Sequence, residues 1–448
     1  MALRTVIAAV DQLVKQGYLD STVGSGTYVR ATSPGTLPQN SAPRARALAR
    51  VPRRVLSARG RRLAAQFFPK VWSNRSVDTF RFDHPALDAF PVDTWNRLAA
   101  RHLASGAREL LGHGEPLGYR PLREAIAGYI GGSRLVRCTA EQVVVTSGTQ
   151  PSLDLVARLL LDPGDRVWME DPGYAAATSL LRAQGAEVIG VPVDLQGLDC
   201  DAGRQRWRFA RLAYVTPACQ FPLGAPMSPA RRLKLLQWAS ETGAWIFEDD
   251  YDSQLQIDEG APPALYASDR AGSVIYANTF NRMLFPALRL GFLILPPAFI
   301  EPAAAALSIT RRYHSLLEQA VLTDFIAQGH LELHARRMRK LYAARREALV
   351  TAGKAELGGL MQLNDSEAGG LQVVGWLAPG LSEVEVWRRA AAHRINSVAL
   401  SSLTVERQMP PALVLGFGSA DERALRTGVK RLRRVLRGVL LSSGQPLP

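Results

Sequence analysis

Cysteine is scarce in this chain: Cys138, Cys200 and Cys219 are the only three in 448 residues, widely spaced, with no pair at metal-ligand spacing. That excludes a disulfide framework and a zinc knuckle, and it fits buried or surface thiols in a reduced cytoplasm. Long apolar runs are missing too. No stretch of about 18 uncharged apolar residues occurs, so no transmembrane helix is expected. The N-terminus lacks an apolar export segment followed by small residues. Acidic residues are nearly absent from the front: residues 1–75 carry 13 Lys or Arg against Asp11 and Asp20, a balance of +11 out of a net +14. A basic front on a near-neutral body is what a nucleic-acid contact needs, and a solvated tail would have the same composition.

What is present is a hydrophobic fraction of 47%, enough over this length for two or three packed domains. Residues 3–16 place Val6, Val10, Leu13 and Val14 at helical spacing, which predicts a helix with one buried face and Gly17 as its C-cap. Tyr18 to Val29 then reads as strand, Gly-Ser-Gly turn and strand, a small β-wing. Residues 31–78 are rich in Pro, Ser and Arg with no acid before Asp78, a linker composition. Within it, Arg53 to Phe68 holds enough Leu, Val and Ala for a short basic helix. Its arginines suit contact with a phosphate backbone without base readout, or simple solubility.

From Phe80 onward, apolar runs alternate with helical stretches. The runs begin at Gln142, Arg166, Glu187, Leu212, Ala244, Val274 and Phe292. Seven runs separated by helices predict a mostly parallel α/β sheet. Residues 305–448 read as a smaller C-terminal α/β domain, with long helices over Leu331–Leu349 and Asp421–Leu436. Arg336, Arg337, Arg339, Lys340, Arg345 and Arg346 are expected on a solvated helix face.

Chemistry collects at strand ends. Thr146-Ser-Gly-Thr-Gln150 lies between a strand and a helix, so helix N-terminal amides and the hydroxyls of Ser147 and Thr149 suit a phosphate. Many strand-to-helix turns look the same. Thr279-Phe-Asn-Arg-Met-Leu-Phe-Pro-Ala-Leu-Arg-Leu-Gly291 brings a hydroxyl at Thr279 and guanidinium groups at Arg282 and Arg289 to another strand end, where open α/β sheets bind ligands. Glu248-Asp-Asp-Tyr-Asp252 gathers acids that repel one another unless something cationic sits among them.

These stretches resemble class I/II aminotransferases, most closely the MocR subfamily of GntR-type transcription regulators. Val10 to Val29 resembles the last helix and wing of a GntR-type winged helix-turn-helix. Leu87-Asp-Ala-Phe-Pro-Val-Asp-Thr-Trp95 resembles the start of the aminotransferase-like body, and the likeness runs nearly continuously to about residue 300. The resemblance implies a partial winged helix over residues 1–30, a basic linker over 31–78, a fold type I large domain over 79–304 and a small domain over 305–448. It implies pyridoxal phosphate (PLP) as cofactor, with Ser147, Gly148, Thr149, Thr279 and Arg289 at its phosphate. Tyr174 would stack on the pyridine, Asp249 would pair with its nitrogen, and Tyr251 and Gln220 would lie beside the ring oxygen. A homodimer, a small amine or amino-acid effector and DNA are the implied partners, with Arg4 and Thr5 near the start of the recognition helix. The two helices expected before that one do not precede it. Either the reading frame extends upstream or the DNA-binding head is incomplete, so tight DNA binding is not expected of the chain as written.

The departures from the family pattern fall in one cavity. Arg282 stands where a lysine holds PLP as a Schiff base. A guanidinium stays protonated, so it neither attacks an aldehyde nor carries a proton between carbons. Ala218 and Cys219 replace a serine-histidine pair, and His113 a tyrosine that reaches the phosphate from the partner subunit. Asp83 replaces a glycine near the substrate carboxylate. The expected function is therefore a transcription regulator whose body binds PLP or a PLP–amine adduct non-covalently as a sensor, with transaminase chemistry lost. An active PLP aminotransferase and a non-catalytic dimerisation pseudoenzyme are the alternatives.

Overall fold

The computed structural model describes residues 3–30, 55–66, 79–104, 108–255, 262–311, 314–364 and 370–442. Contacts divide the chain into two units, Met1–Leu56 and Ser57–Pro448. Most of the linker expected over 31–78 lies outside the described residues.

In the first unit, helix α1 (Leu3–Lys15) stops at Gly17, whose φ of +78° suits glycine, and is followed by the hairpin β1 (Leu19–Thr22) and β2 (Gly26–Val29). Helix and wing agree with the expectation, but the apolar face of α1 is not buried. Leu3, Val6, Ile7 and Leu13 stay 40–76% exposed. A helical stripe is buried only by another element laid along it, and among the described residues no second helix does this.

In the second unit a short helix, α2 (Ala58–Ala65), is capped by the Ser57 hydroxyl and falls inside the predicted basic helix. Helices α3 (Val92–Ala104) and α4 (Arg120–Arg134) lead into strand β3 (Val143–Thr146), helix α5 (Thr149–Leu160) and strand β4 (Arg166–Asp171). There follow α6 (Ala175–Gln184), β5 (Glu187–Asp194), β6 (Gly197–Leu198), α7 (Cys200–Trp207), β7 (Leu212–Val215), α8 (Pro229–Thr242), β8 (Trp245–Asp249), β9 (Val274–Thr279) and β10 (Gly291–Ile294). These strands form one sheet in the order β3-β10-β9-β8-β7-β4-β5-β6. Neighbours from β9 across to β5 are parallel, and β10 runs antiparallel to both β9 and β3. All seven predicted strands are present, with the two-residue β6 added at the edge.

The alternation along each strand sets the layers. Val143 and Val145 pack into one apolar cluster while Val144 joins another on the opposite face. Trp168 of β4 faces away from Val167 and Met169 and stacks on Trp238 of α8 at 3.9 Å between centroids. Both faces are covered, which is why the strands read as continuous apolar runs.

Beyond β10 come α9 (Ile300–Thr310), α10 (Leu316–Ala327) and the 27-residue α11 (His330–Glu356). Then β11 (Met361–Leu363), β12 (Gln372–Leu377), α12 (Glu383–Ala392), β13 (Val398–Ala399), β14 (Ala412–Gly416) and α13 (Glu422–Ser442) build a second, antiparallel sheet in the order β11-β12-β14-β13. The predicted charged face of α11 needs one correction. Arg345 points inward, donating to the Gly418 carbonyl and to Asp88. Fork geometry lets the buried guanidinium reach two separate acceptors, the Gly418 carbonyl and the exposed Asp88 carboxylate.

Residues 79–84 run with this second sheet. Thr79 bridges Ile395, and the Phe80 carbonyl accepts from Gly416 N at 2.9 Å. No described helix is long and apolar enough to cross a membrane.

Candidate functional site

At the C-terminal ends of the parallel strands lies a cavity of ≈ 210 Å³. That is below the roughly 300–1,000 Å³ of drug-sized pockets and suits a single ring with small substituents. Its floor is the turn from β3 into α5. Gly148 has a φ of +112°, and a Cβ there would meet Asn281 Nδ2 at 2.8 Å. Only glycine lets the two strand-end turns approach so closely. Ser147, Gly148, Thr149, Thr279, Asn281 and Arg289 all line this part of the cavity. The Ser147 hydroxyl accepts from Arg311 Nη1 at 3.1 Å and lies 3.4 Å from His314 Nδ1. Burial and the neighbouring Arg311 and Arg289 charges hold His314 below its ordinary pKa. Two arginines at a helix N-terminus make this end attractive to an anion.

Asp249 ends β8 beneath the cavity, 4% exposed. The Tyr214 hydroxyl donates to its Oδ2 at 2.5 Å and that of Thr149 to its Oδ1 at 3.2 Å. Burial pushes its pKa up to about 7, against the pull of those two hydrogen bonds. A cationic N–H placed over it would complete the carboxylate and keep it ionised.

The remaining acids of the run are each answered separately. Glu248 accepts the amides of Leu265 and Tyr266 at 2.7 and 2.8 Å. Asp250 takes the Arg134 fork at 2.8 and 3.2 Å, together with the Tyr276 hydroxyl. Asp252, its side chain fully buried, takes the Arg282 fork at 2.7 and 2.6 Å. Arg282 also donates to the Phe82 carbonyl at 2.9 Å and to Gln372 Oε1 at 3.5 Å. Burial alone would lower the Arg282 pKa; the Asp252 carboxylate outweighs it and holds the group above its ordinary value. The cations expected among the acids are thus Arg134, on Asp250, and Arg282, whose charge is answered by Asp252 rather than offered to a ligand.

Tyr174 lines the cavity and meets Phe221 edge-on, and Tyr251 meets the same ring edge-on as well. The Tyr251 hydroxyl approaches Cys219 Sγ at 3.6 Å, and burial raises the thiol pKa to about 12. One expectation is not met. Gln220 does not line the cavity: its Nε2 donates to the Pro172 and Phe221 carbonyls and its Oε1 accepts from Leu223 N. A buried amide satisfied on both sides holds loops together and has nothing left for a ligand. Ala218 and Cys219 are buried behind the lining, and His113 is exposed and lines no part of this cavity. Arg4 and Thr5 are exposed on α1 in the other unit.

Sequence reasoning missed Tyr214, Thr216, Phe82 and Asn281 as lining residues. Tyr214 lies on β7, which neighbours β8 only through the strand order, so no local signal marks it.

A parallel-dominated sheet wrapped on both faces, with an anion seat at one strand end and a buried aspartate at another, is the architecture of fold type I aminotransferases. A sequence profile for aminotransferase class I and II matches residues 83–429. Among solved structures, the α-aminoadipate aminotransferase LysN of Thermus thermophilus, complexed with N-(5'-phosphopyridoxyl)-L-leucine, superposes with a TM-score of 0.76 at 28% identity, over 82% of this chain and 94% of that one. The chain is 38% identical over 99% of its length, and 88% of the relative's, to the probable rhizopine catabolism regulatory protein MocR of Rhizobium meliloti. It is 31% identical over 97% of its length to the HTH-type transcriptional regulator TauR of Rhodobacter capsulatus, of which it covers 88%. The chain belongs to the MocR subfamily of GntR-type regulators, whose bodies are aminotransferases of class I and II by descent.

Proposed function

We propose that this protein is a cytoplasmic, homodimeric transcription regulator whose aminotransferase-like body holds PLP without a covalent bond and reports on a small effector. The observation that carries the reading is the Arg282–Asp252 fork at the position of the family lysine. PLP supplies aminotransferase relatives with an electron-withdrawing ring. The residues here fit its binding but not its turnover. Ser147, Thr149, Thr279 and Arg289 with the α5 N-terminus suit its phosphate, Tyr174 its ring face, and Asp249 its protonated ring nitrogen. Arg282 stays cationic and hydrogen-bonded, so it takes up no proton from a substrate carbon. Among the described residues no lysine lines the cavity, which counts against the aminotransferase alternative. The names of the relatives, and the basic balance of residues 1–75, support DNA as the second partner.

The test is a calorimetric PLP titration, followed by borohydride treatment and intact-mass measurement. Binding is expected without any mass gain in the parent chain, and Arg289→Ala should weaken it roughly 10- to 100-fold, the worth of a charge-assisted hydrogen bond. Arg282→Lys should gain the mass of one reduced cofactor. A labelled lysine in the parent would restore the enzyme reading. No binding and no PLP-dependent change in melting would leave only the dimerisation partner.

A further inference from the structure

The cavity has two differently built sides. The phosphate-facing side carries Arg289, hydroxyls and a helix N-terminus. The other carries Phe82, Asp83, Phe221 and Tyr251, packed against the second sheet. Among the described residues, no cation lining that second side is open to a ligand anion. Arg282 gives four of its five N–H groups to Asp252, Phe82 and Gln372. Strand β14 offers only apolar side chains to the cluster against which Phe82 and Tyr251 pack, through Ala412 and Val414.

Asp83 is the exception to that apolar wall. Both its carboxylate oxygens are buried, and neither accepts a well-aligned hydrogen bond among the described residues. Arg81 Nε lies 3.6 Å from one oxygen and His84 Nδ1 3.0 Å from the other, close enough to keep the group ionised but not aligned as donors. The backbone carrying it is clamped. A Cβ on Gly416 would collide with the Arg81 carbonyl, and one on Gly418 would meet the His84 carbonyl at 2.8 Å. Phe80 is held at a φ of +71°, a conformation a bulky residue adopts only when its surroundings impose it. A fixed, ionised carboxylate whose lone pairs are not met by aligned donors attracts N–H or O–H groups and repels another carboxylate.

We infer that Asp83 sets the effector class: an amine carrying a further N–H or O–H donor and no carboxylate, rather than an α-amino acid. This rests on the reading of the cavity as a PLP and effector site. The stable reduced adducts N-(phosphopyridoxyl)-ethanolamine and N-(phosphopyridoxyl)-L-serine differ only in the carboxylate, so their calorimetric affinities for the full chain isolate its effect. The ethanolamine adduct is expected to bind at least tenfold tighter than the serine adduct. Asp83→Gly and Asp83→Asn should each shrink that ratio to within about threefold by improving serine-adduct binding. Equal or tighter binding of the serine adduct by the parent overturns the inference, whether or not the variants fold, as does an unchanged ratio in a folded variant. PLP itself is the control. If PLP does not bind, the cavity reading fails; if it binds while the serine adduct is preferred, only the role of Asp83 fails.

Discussion

Arg282 shows how a single side chain redirects a site. Its chemistry is readable in one dimension, because a guanidinium cannot become a neutral amine near neutral pH wherever it is placed. Its partner is not readable, since Asp252 is one of several nearby acids and only the fold assigns each its cation. Separating such a buried pair by removing one member typically costs about 3–5 kcal/mol, so the fork locks the loop as well as the charge. Asp249, Glu248 and Glu170 carry the pH dependence near neutrality. Glu170, buried near the end of β4, accepts from Thr216 N at 3.1 Å and from its hydroxyl at 2.6 Å. Burial raises all three to about 7, against hydrogen bonds that favour the ionised forms. Between about pH 4 and 7 the folded chain therefore keeps protons that the unfolded chain has released. Their contribution is full below the unfolded pKa values and is lost as pH rises through the folded ones. Melting temperature of the ligand-free protein should fall between about pH 4 and 7 and then level off. Saturating PLP should flatten part of that fall by placing a cation on Asp249, and Asp249→Asn should remove the same part. A melting temperature that climbs over this interval would contradict the burial of these acids.

At the scale of elements, the turn into α5 depends on glycine where the sequence motif alone is ambiguous. Thr146-Ser-Gly-Thr-Gln150 could be any strand-to-helix turn. What singles it out is the approach of Asn281 from the neighbouring turn, with Gly148 between them. Gly148→Ala forces a left-handed conformation on a side chain and pushes Asn281 away. It should destabilise the protein by about 1–3 kcal/mol and weaken PLP binding at least tenfold, read by denaturant unfolding and calorimetry. Undiminished PLP affinity would place the phosphate elsewhere. Element types were largely legible: helix α1, the wing, all seven strands and the two long C-terminal helices follow from periodicity and punctuation. Burial was less so. The stripe of α1 has the spacing of a buried face without a described element to bury it, and Arg345 has the composition of a surface face yet lies in the core.

For the whole molecule, the relevant quantity is charge distribution. The balance of +11 over residues 1–75 predicts DNA binding that is mostly electrostatic. Affinity for a duplex of arbitrary sequence should drop by roughly 10³ or more between 50 and 200 mM salt if six or more phosphates are engaged. Gel retardation or anisotropy at the two salt concentrations measures it, and a flat response would reduce the basic front to a solvated tail. The sequence by itself determined the fold class, the basic front and the loss of a neutral amine at position 282, because each depends on residue type and local order. Only tertiary structure decided that Arg282 closes on Asp252, that Tyr214 supports Asp249, that Gln220 faces inward, and that the Asp83 oxygens are buried without an aligned donor. Those outcomes turn on strand order and on chain segments brought together from 30 to more than 300 residues apart, as where Phe80 meets Gly416, and no local pattern encodes which buried partner a polar group will find.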